Sequence, residues 1–420
     1  MKTEWWGGQR EWRVKPGLER ICALLDALDH PERTYAAVHV AGTNGKGSVS
    51  AMLAQALLTE GYTVGLTTSP HLMQVNERVQ INGQPLAESE WDMLAETIEV
   101  AGNRLSTPPT WFEAVTALAF LAFQRHAVDI AVVEVGMGGR WDATNVIPPP
   151  VLAVITPVAF DHMQYLGSTI EAIAGEKAGI LKTGSELVLA QQPYPPARDR
   201  ILAIARARDV PVTEVTPQAQ ITSLGPELRT DTGLTVRVPL VGAYQQSNLD
   251  TAWTAIERLF QRDWIHDLKR AASGLARVRW PGRFELVSEE PLVILDGAHN
   301  PHGIQGVVST LAIPPWNQKA WHVVFGVMRD KAYAEMLALI APRAQEITLT
   351  RVPTERGADP SELMRMAREA PLTRVVADPV RAVHEAVAVA RERHQAVLVT
   401  GSLHLVGLVR PMFQSDEGER

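Results

Sequence analysis

Five short runs of nearly unbroken apolar residues recur along the first half of the chain: YAAVHVA (35–41), TVGLTT (63–68), DIAVVEV (129–135), VLAVITPV (151–158) and ELVLA (186–190). A strand with one solvated face alternates apolar and polar residues. A run that is apolar throughout is buried on both faces, as in a parallel sheet covered by helices. The intervening segments supply those helices: VSAMLAQALLTEG has helical apolar spacing and a terminating glycine, Gly61. The stretch LRTDTGLTVRVPLV (228–241) differs, alternating around Asp231-Thr232-Gly233 as a hairpin does. The spacing therefore predicts a doubly wound, mostly parallel α/β sheet with a small antiparallel appendage.

After VRWPGRFELVSEE the pattern restarts, with PLVILDG, WHVVFGV, EITLT, TRVVAD and AVLVTGS as strands between helical segments. This predicts a second, smaller Rossmann-like α/β domain. Two domains suit a chain of 420 residues, which is beyond the size of one ordinary core. The turn at Pro281-Gly282 sets the division, giving domains 1–282 and 283–420. A formal net charge of -7 argues against nucleic acid as a general partner, because a phosphate backbone needs clustered Lys and Arg. The single cysteine, Cys22, rules out an intramolecular disulfide and suits a reducing compartment. The opening MKTEWWGGQREWRVKPG lacks an apolar signal core, and no run is long enough to span a membrane. A cytoplasmic chain is expected, with Trp5, Trp6 and Trp12 as cover for the first domain.

Three groups of residues point to chemistry. VHVAGTNGKGSVSAMLAQALL reads as strand, glycine-rich turn and helix, a P-loop-like arrangement. Such a turn aims backbone N–H groups and a helix N-terminus at phosphate, with Lys46 as a point charge. The strict Walker spacing is not met: Val40 stands at its first glycine, and Gly47 precedes Ser48 after the lysine. A purely structural strand-to-helix turn is the plainer alternative. Second, Ser69, Glu134 and Asp161-His162 sit at the C-terminal ends of three predicted strands, where open α/β sheets bind ligands. Hydroxyl, carboxylate and imidazole together suit Mg²⁺ beside a nucleotide. Alone, His162 would read as a loop histidine and Ser69 as a cap before Pro70.

The third is Lys177. Wound as a helix, IEAIAGEKAGILK (170–182) places Ile170, Ile173, Ala174, Ala178 and Leu181 on one face, with Lys177 near its middle. Desolvation lowers the pKa of such an ammonium, and a neutral amine can take up CO₂ as a carbamate, turning a cation into an oxygen ligand for metal. Against this, Lys177 could snorkel to water, and Gly175 and Gly179 weaken the helix.

Taken in order, GTNGKGS, TSPHL, NERVQING, TWFEAVTALAF, EVGMGGRWDATN, FDHMQYLG, GEKAGILK, PGRFE, LDGAHNPHG and GVMRDK resemble the motifs of the folylpolyglutamate synthase and dihydrofolate synthase family, which are Mur-type ATP-dependent amide ligases. The resemblance runs from about residue 13 to 407. It implies that ATP phosphorylates a carboxylate of dihydropteroate or a reduced folate, and that L-glutamate displaces phosphate from the acyl phosphate. By motif position, Asn44, Gly45, Lys46, Gly47, Ser48, Asn248, Arg283 and Asp296 would contact ATP. Ser48, Ser69, Glu134, His162 and a carbamylated Lys177 would hold two Mg²⁺ ions, with Lys46, Lys177 and His299 catalytic. Thr110, Trp111, Phe112, Glu113, Trp141, Asp142 and Ala143 would hold the pterin. A monomer is expected. Two departures stand out: Trp141 replaces the family's usual Leu, and Tyr244 a common His. Two other functions remain open: a P-loop kinase or ATPase with a lid domain, and a non-catalytic nucleotide-binding regulator.

Overall fold

The structure is a computed structural model that describes residues 15–222, 224–367 and 372–414; Trp5, Trp6 and Trp12 lie outside them. The chain divides into two compact units. Met1–Ala219, Glu227–Val238 and Ser247–Val278 form the first, and Gln220–Pro226, Pro239–Gln246 and Arg279–Arg420 the second.

In the first unit the strands are β1 (Ala36–Ala41), β2 (Val64–Thr67), β3 (Val79–Ile81), β4 (Gln84–Pro85), β5 (Ile130–Glu134), β6 (Leu152–Ile155), β7 (Leu187–Leu189) and β8 (Val212–Glu214). They form one sheet in the order β4-β3-β2-β5-β1-β6-β7-β8. From β2 to β8 neighbouring strands run parallel. The continuous apolar runs are the central strands, and β5 and β6 are buried along their whole length. Alternate side chains feed separate cores. Ala131 and Val133 meet the helices Glu88–Gly102 and Trp111–Arg125, whereas Ala153, Ile155, Leu187 and Leu189 meet Ile170–Lys177 and Pro195–Ala207.

Three strands of this sheet, β3, β4 and β8, went unread in the sequence. β3 and β4 are antiparallel about Asn82-Gly83, both with positive φ (51° and 77°), a two-residue hairpin turn of the kind this dipeptide favours. The expected helix over 170–182 also needs correction: it ends at Lys177, and Ala178–Ile180 form a 3₁₀ turn. The reason is proximity. A Cβ on Gly179 would lie 2.5 Å from Cα of Arg140, so the chain here follows the neighbouring backbone rather than helical propensity. β9 (Gln220–Thr222), β10 (Gly225–Arg229) and β11 (Thr235–Arg237) follow, and β10 and β11 pair antiparallel as the expected hairpin. Its turn closes with Gly233 donating to the Thr230 carbonyl (2.9 Å) at φ 80°.

The second unit holds β12 (Glu285–Glu289), β13 (Leu292–Leu295), β14 (Trp321–Phe325), β15 (Ala344–Leu349), β16 (Thr373–Val375) and β17 (Ala396–Thr400), in the order β12-β13-β17-β14-β15-β16. The five predicted strands form its parallel part. FELVSEE, which carries no strand signal in the sequence, holds the edge strand β12, antiparallel to β13 with a bulge between Leu286 and Ser288 that hides any alternation. No helix among the described residues is long and apolar enough to cross a membrane.

Candidate active site

The glycine-rich turn after β1 is held from below. Thr43 donates its N–H to the Pro157 carbonyl (2.9 Å), and its hydroxyl donates to the Ala159 carbonyl (3.1 Å) while accepting from Ala159 N–H (3.0 Å). Gly45 caps the helix Lys46–Glu60 at φ 92°, in the left-handed region, and a Cβ there would collide with Oδ1 of buried Asn248. Thus Asn248, remote in sequence, lies against the turn. The helix ends at Gly61 (φ 101°). Ser48 is buried in its first turn. Asn44 and Gly47 lie between, partly exposed.

Strand ends bring the next groups in. Glu134 ends β5 as a buried carboxylate; its Oε2 accepts from Ser69 N–H (3.1 Å), and its Oε1 lies 3.9 Å from Nζ of Lys46. Lys46 also donates to the Thr43 carbonyl (3.2 Å). The Ser69 hydroxyl is buried without a protein partner, so a hard oxygen donor is left facing no acceptor. An orphaned hydroxyl beside a carboxylate fits an oxygen-liking divalent cation. Among the described residues no three or more His, Cys, Asp or Glu side chains converge as a metal cluster, and the expected set has only two such members, Glu134 and His162. His162 is in the left-handed region (φ 52°), its N–H bonded to Asp161 Oδ1 (2.9 Å) and its Nε2 3.9 Å from Oδ2.

Lys177 is buried, and its Nζ donates to the carbonyl of Gly42, at the base of the phosphate turn (2.7 Å). Burial, aided by the nearby Lys46 charge, lowers its pKa to about 7 against the pull of Asp161 and Asp142. A fraction of this amine is therefore neutral at physiological pH.

The residues expected to hold a pterin have mostly internal partners. Thr110 caps the helix Trp111–Arg125 in a reciprocal box: Glu113 N–H donates to the Thr110 hydroxyl (3.3 Å), and Thr110 N–H to Glu113 Oε2 (2.6 Å). Arg20, missed in the sequence, pairs with Glu113 (2.9 Å). Trp111 is buried under the Arg78 guanidinium, 4.9 Å from the ring centre. Phe112 lies where a Cβ on Gly136 would be. Asp142 is buried, accepting from Met137 N–H (2.8 Å), Thr144 N–H (3.0 Å) and the Thr144 hydroxyl (2.6 Å); burial raises its pKa. Ala143 is buried beside it, and Trp141 is 52% exposed.

In the second unit Asp296, at the end of β13, is buried and accepts from Phe284 N–H (2.9 Å), Ala298 N–H (2.8 Å) and the Tyr244 hydroxyl (2.7 Å). Arg283 donates to the Gly282 carbonyl (3.2 Å). The His299 ring nitrogen Nδ1 bonds the Gly297 carbonyl (2.9 Å). Motif position pointed to Asp296; the tyrosine that holds it was noted only as standing where the family commonly has His.

Residues 40–256 match the Mur ligase middle domain, and residues 282–403 the Mur ligase glutamate ligase domain. The chain is 36% identical to the dihydrofolate synthase/folylpolyglutamate synthase of Bacillus subtilis (strain 168), over 97% of each. Mycobacterium tuberculosis folylpolyglutamate synthase complexed with ADP and AMPPCP has a TM-score of 0.88 to it at 34% identity, over 96% of both chains. A bifunctional folylpolyglutamate synthase/dihydrofolate synthase from Yersinia pestis, complexed with AMPPNP and Mn ion, has a TM-score of 0.82 at 31% identity, over 96% of this chain and 94% of that one. These matches favour neither the kinase nor the regulator alternative. By sequence and by fold, the chain belongs to the Mur ligases, in the folylpolyglutamate synthase/dihydrofolate synthase family.

Proposed function

We propose that this protein is an ATP-dependent ligase joining L-glutamate to a folate-type carboxylate, either of dihydropteroate or of a reduced folate. The observation that carries the proposal is the joining of Lys46, Glu134 and the Ser69 backbone at the mouth of the phosphate turn, with Lys177 bonded beneath it. In the reaction a substrate carboxylate oxygen takes the γ-phosphoryl group of ATP, releasing ADP. The glutamate amine then attacks the acyl carbon, phosphate leaves, and the amine loses its proton as the amide forms. No protein nucleophile is needed; the requirement is neutralised charge and fixed geometry.

Gly45, Lys46, Gly47 and Ser48, with Asn44 and Asn248, would hold the phosphates, Lys46 moving from Glu134 to the triphosphate. From the second unit we assign Arg283 and Asp296 to ATP and His299 to the tetrahedral intermediate, with residues 1–282 as the ATP-binding part and 283–420 as the glutamate-ligase part. Ser69, Glu134 and His162, with Ser48, would hold a divalent cation, which when bound draws charge from the phosphoryl oxygens. A second Mg²⁺ would require Lys177 to change sign. Its neutral Nζ attacks CO₂, a proton leaves, and the carbamate presents two oxygens. Trp141 and Phe112 would face the pterin, while Thr110, Trp111, Glu113, Asp142 and Ala143 form the wall behind them. We take the working form to be a cytoplasmic monomer, to be checked by sedimentation.

Purified protein with ATP, Mg²⁺ and L-glutamate should release phosphate only when dihydropteroate or tetrahydrofolate is added. Comparing the two at equal ATP and glutamate tells which addition this chain performs. Absence of phosphate release with both would sink the proposal.

A further inference from the structure

Tyr244 stands between two glycines. A Cβ on Gly242 would lie 3.0 Å from its Cε1, and one on Gly306 would lie 3.0 Å from Cδ1 and 3.2 Å from Cβ. A side chain at either glycine would press on the ring, and its segment is further fixed by Ala243 N–H donating to the Thr310 hydroxyl (2.9 Å). The ring ends on Asp296, whose Oδ2 takes two donors, the Tyr244 hydroxyl (2.7 Å) and Phe284 N–H (2.9 Å), while Oδ1 takes Ala298 N–H (2.8 Å). One carboxylate thus ties three segments, 242–246, 281–284 and 296–300. Phe284 N–H belongs to the peptide that follows Arg283, and the guanidinium runs so close to Gly297 that a Cβ there would lie 2.7 Å from Nη1.

We propose that Tyr244 is a positioning residue for nucleotide use: its hydroxyl orients Asp296 and, through the shared Oδ2 and the Phe284 amide, the backbone that carries Arg283. The inference rests on the assignment of Arg283 and Asp296 to ATP made above. Tyr244 touches no reacting atom. Its hydroxyl is a side-chain donor to Asp296 Oδ2, and it removes rotational freedom the carboxylate would otherwise have.

Tyr244→Phe keeps the ring between the glycines and removes only the hydroxyl. It should weaken ATP binding, read by calorimetry, about tenfold, since a hydrogen bond to a charged group is lost. KM for ATP should rise in parallel, with kcat within about threefold and KM for glutamate and the folate substrate unchanged, as for a lost ground-state contact. Gly306→Ala, which pushes on the ring but leaves the hydroxyl in place, should weaken ATP binding in the wild-type background and add nothing when combined with Tyr244→Phe. Thermal melts of all variants are the control for folding. If Tyr244→Phe binds ATP like the wild type, or if every KM and kcat change together, the inference is overturned while the ligase assignment stands on phosphate release. If wild type binds ATP but releases no phosphate with either folate, the assignment fails and the calorimetric comparison still decides the role of Tyr244. If the effects of the two substitutions simply add, the coupling through the hydroxyl is refuted.

Discussion

Lys177 is flanked at equal sequence distance by two glycines that should respond oppositely to the same methyl group. Gly175 lies inside the helix Ile170–Lys177, and an added Cβ would meet only the end of the Arg200 side chain, at 3.4 Å. Alanine there removes the backbone freedom of glycine in the unfolded chain and should stabilise by about 0.5–1 kcal/mol. Gly179 has no such room. Its Cβ would lie 2.5 Å from Cα, 2.5 Å from Cβ and 2.7 Å from N of Arg140. That backbone is held from both sides, its N–H by the Glu176 carbonyl (2.8 Å) and its carbonyl by Asn145 Nδ2 (3.1 Å). Relief therefore requires one main chain to move away from the other, an overpacking cost of about 1–3 kcal/mol. At about 2–4 °C per kcal/mol for a body of this size, Gly175→Ala should raise the melting temperature of the first unit by about 1–4 °C, and Gly179→Ala should lower it by about 2–12 °C. Phosphate release should follow the same division. Gly175→Ala stays within about twofold of wild type, whereas Gly179→Ala displaces the turn that directly follows Lys177 and shifts that residue with it, and a misplacement near 1 Å costs about a hundredfold. Differential scanning calorimetry on the two single variants measures the first pair of values. Shifts of the same sign, or a neutral Gly179→Ala, would refute the close-approach argument.

Lys46→Ala should lower kcat by about two to three orders of magnitude, because a preorganised charge on the transferring phosphoryl group is lost; wild-type turnover in that variant contradicts the phosphate-loop assignment. Lys177→Ala should lose phosphate release and recover part of it with bicarbonate plus acetate or formate, which supply carboxylate oxygens; full activity without rescue rules the carbamate out. Buried His39 has its pKa lowered to about 3, first by desolvation and then by the Lys182 charge. The unfolded chain, with an ordinary histidine near 6.5, binds more protons between those values. Stability from this site is therefore whole above pH 6.5 and is lost as pH falls toward 3, with a slope of up to about 1.4 kcal/mol per pH unit. His39→Gln should flatten that part of a denaturant-unfolding profile, and an unchanged acid limb would show that His39 does not titrate there.

Legibility in the sequence followed the range of the forces involved. Strands such as DIAVVEV were readable because burial on both faces leaves a run of apolar residues, and β5 lies where that run stands. The hairpin at Asn82-Gly83 went unread: those residues carry its left-handed turn, but its flanking strands are too short to show a period. β12 could not be read: it is an edge strand with a bulge and no alternation of buried residues. Lys177 was readable because an ammonium on an apolar face contradicts its surroundings wherever the helix ends. The helix end itself depends on Arg140, which is distant in sequence. The internal roles of Glu113 and Asp142 were hidden for the same reason, as their partners Arg20 and Met137 are chosen by the fold.

The loop that displays Trp141 shows how such hidden partners set chemistry. Thr144 has one hydroxyl proton, and its 2.6 Å contact with Asp142, a carboxylate already accepting two backbone N–H groups, assigns that proton to the carboxylate. The same oxygen lies 2.9 Å from Nε2 of His39, so it must accept there, and His39 carries its proton on Nε2. Nδ1 is then a bare lone pair in the core, and it has no protein donor. A second proton would have to sit at that buried nitrogen, near Lys182, which is why the imidazole stays neutral. A neutral histidine in the middle of β1 is thus the anchor of a directed chain, His39 to Thr144 to Asp142, that ends in the loop displaying Trp141. The carboxylate fixes that loop by accepting from its peptides, and its own orientation is fixed from inside the sheet. A substrate contact at Trp141 would therefore depend on a residue that no ligand could reach.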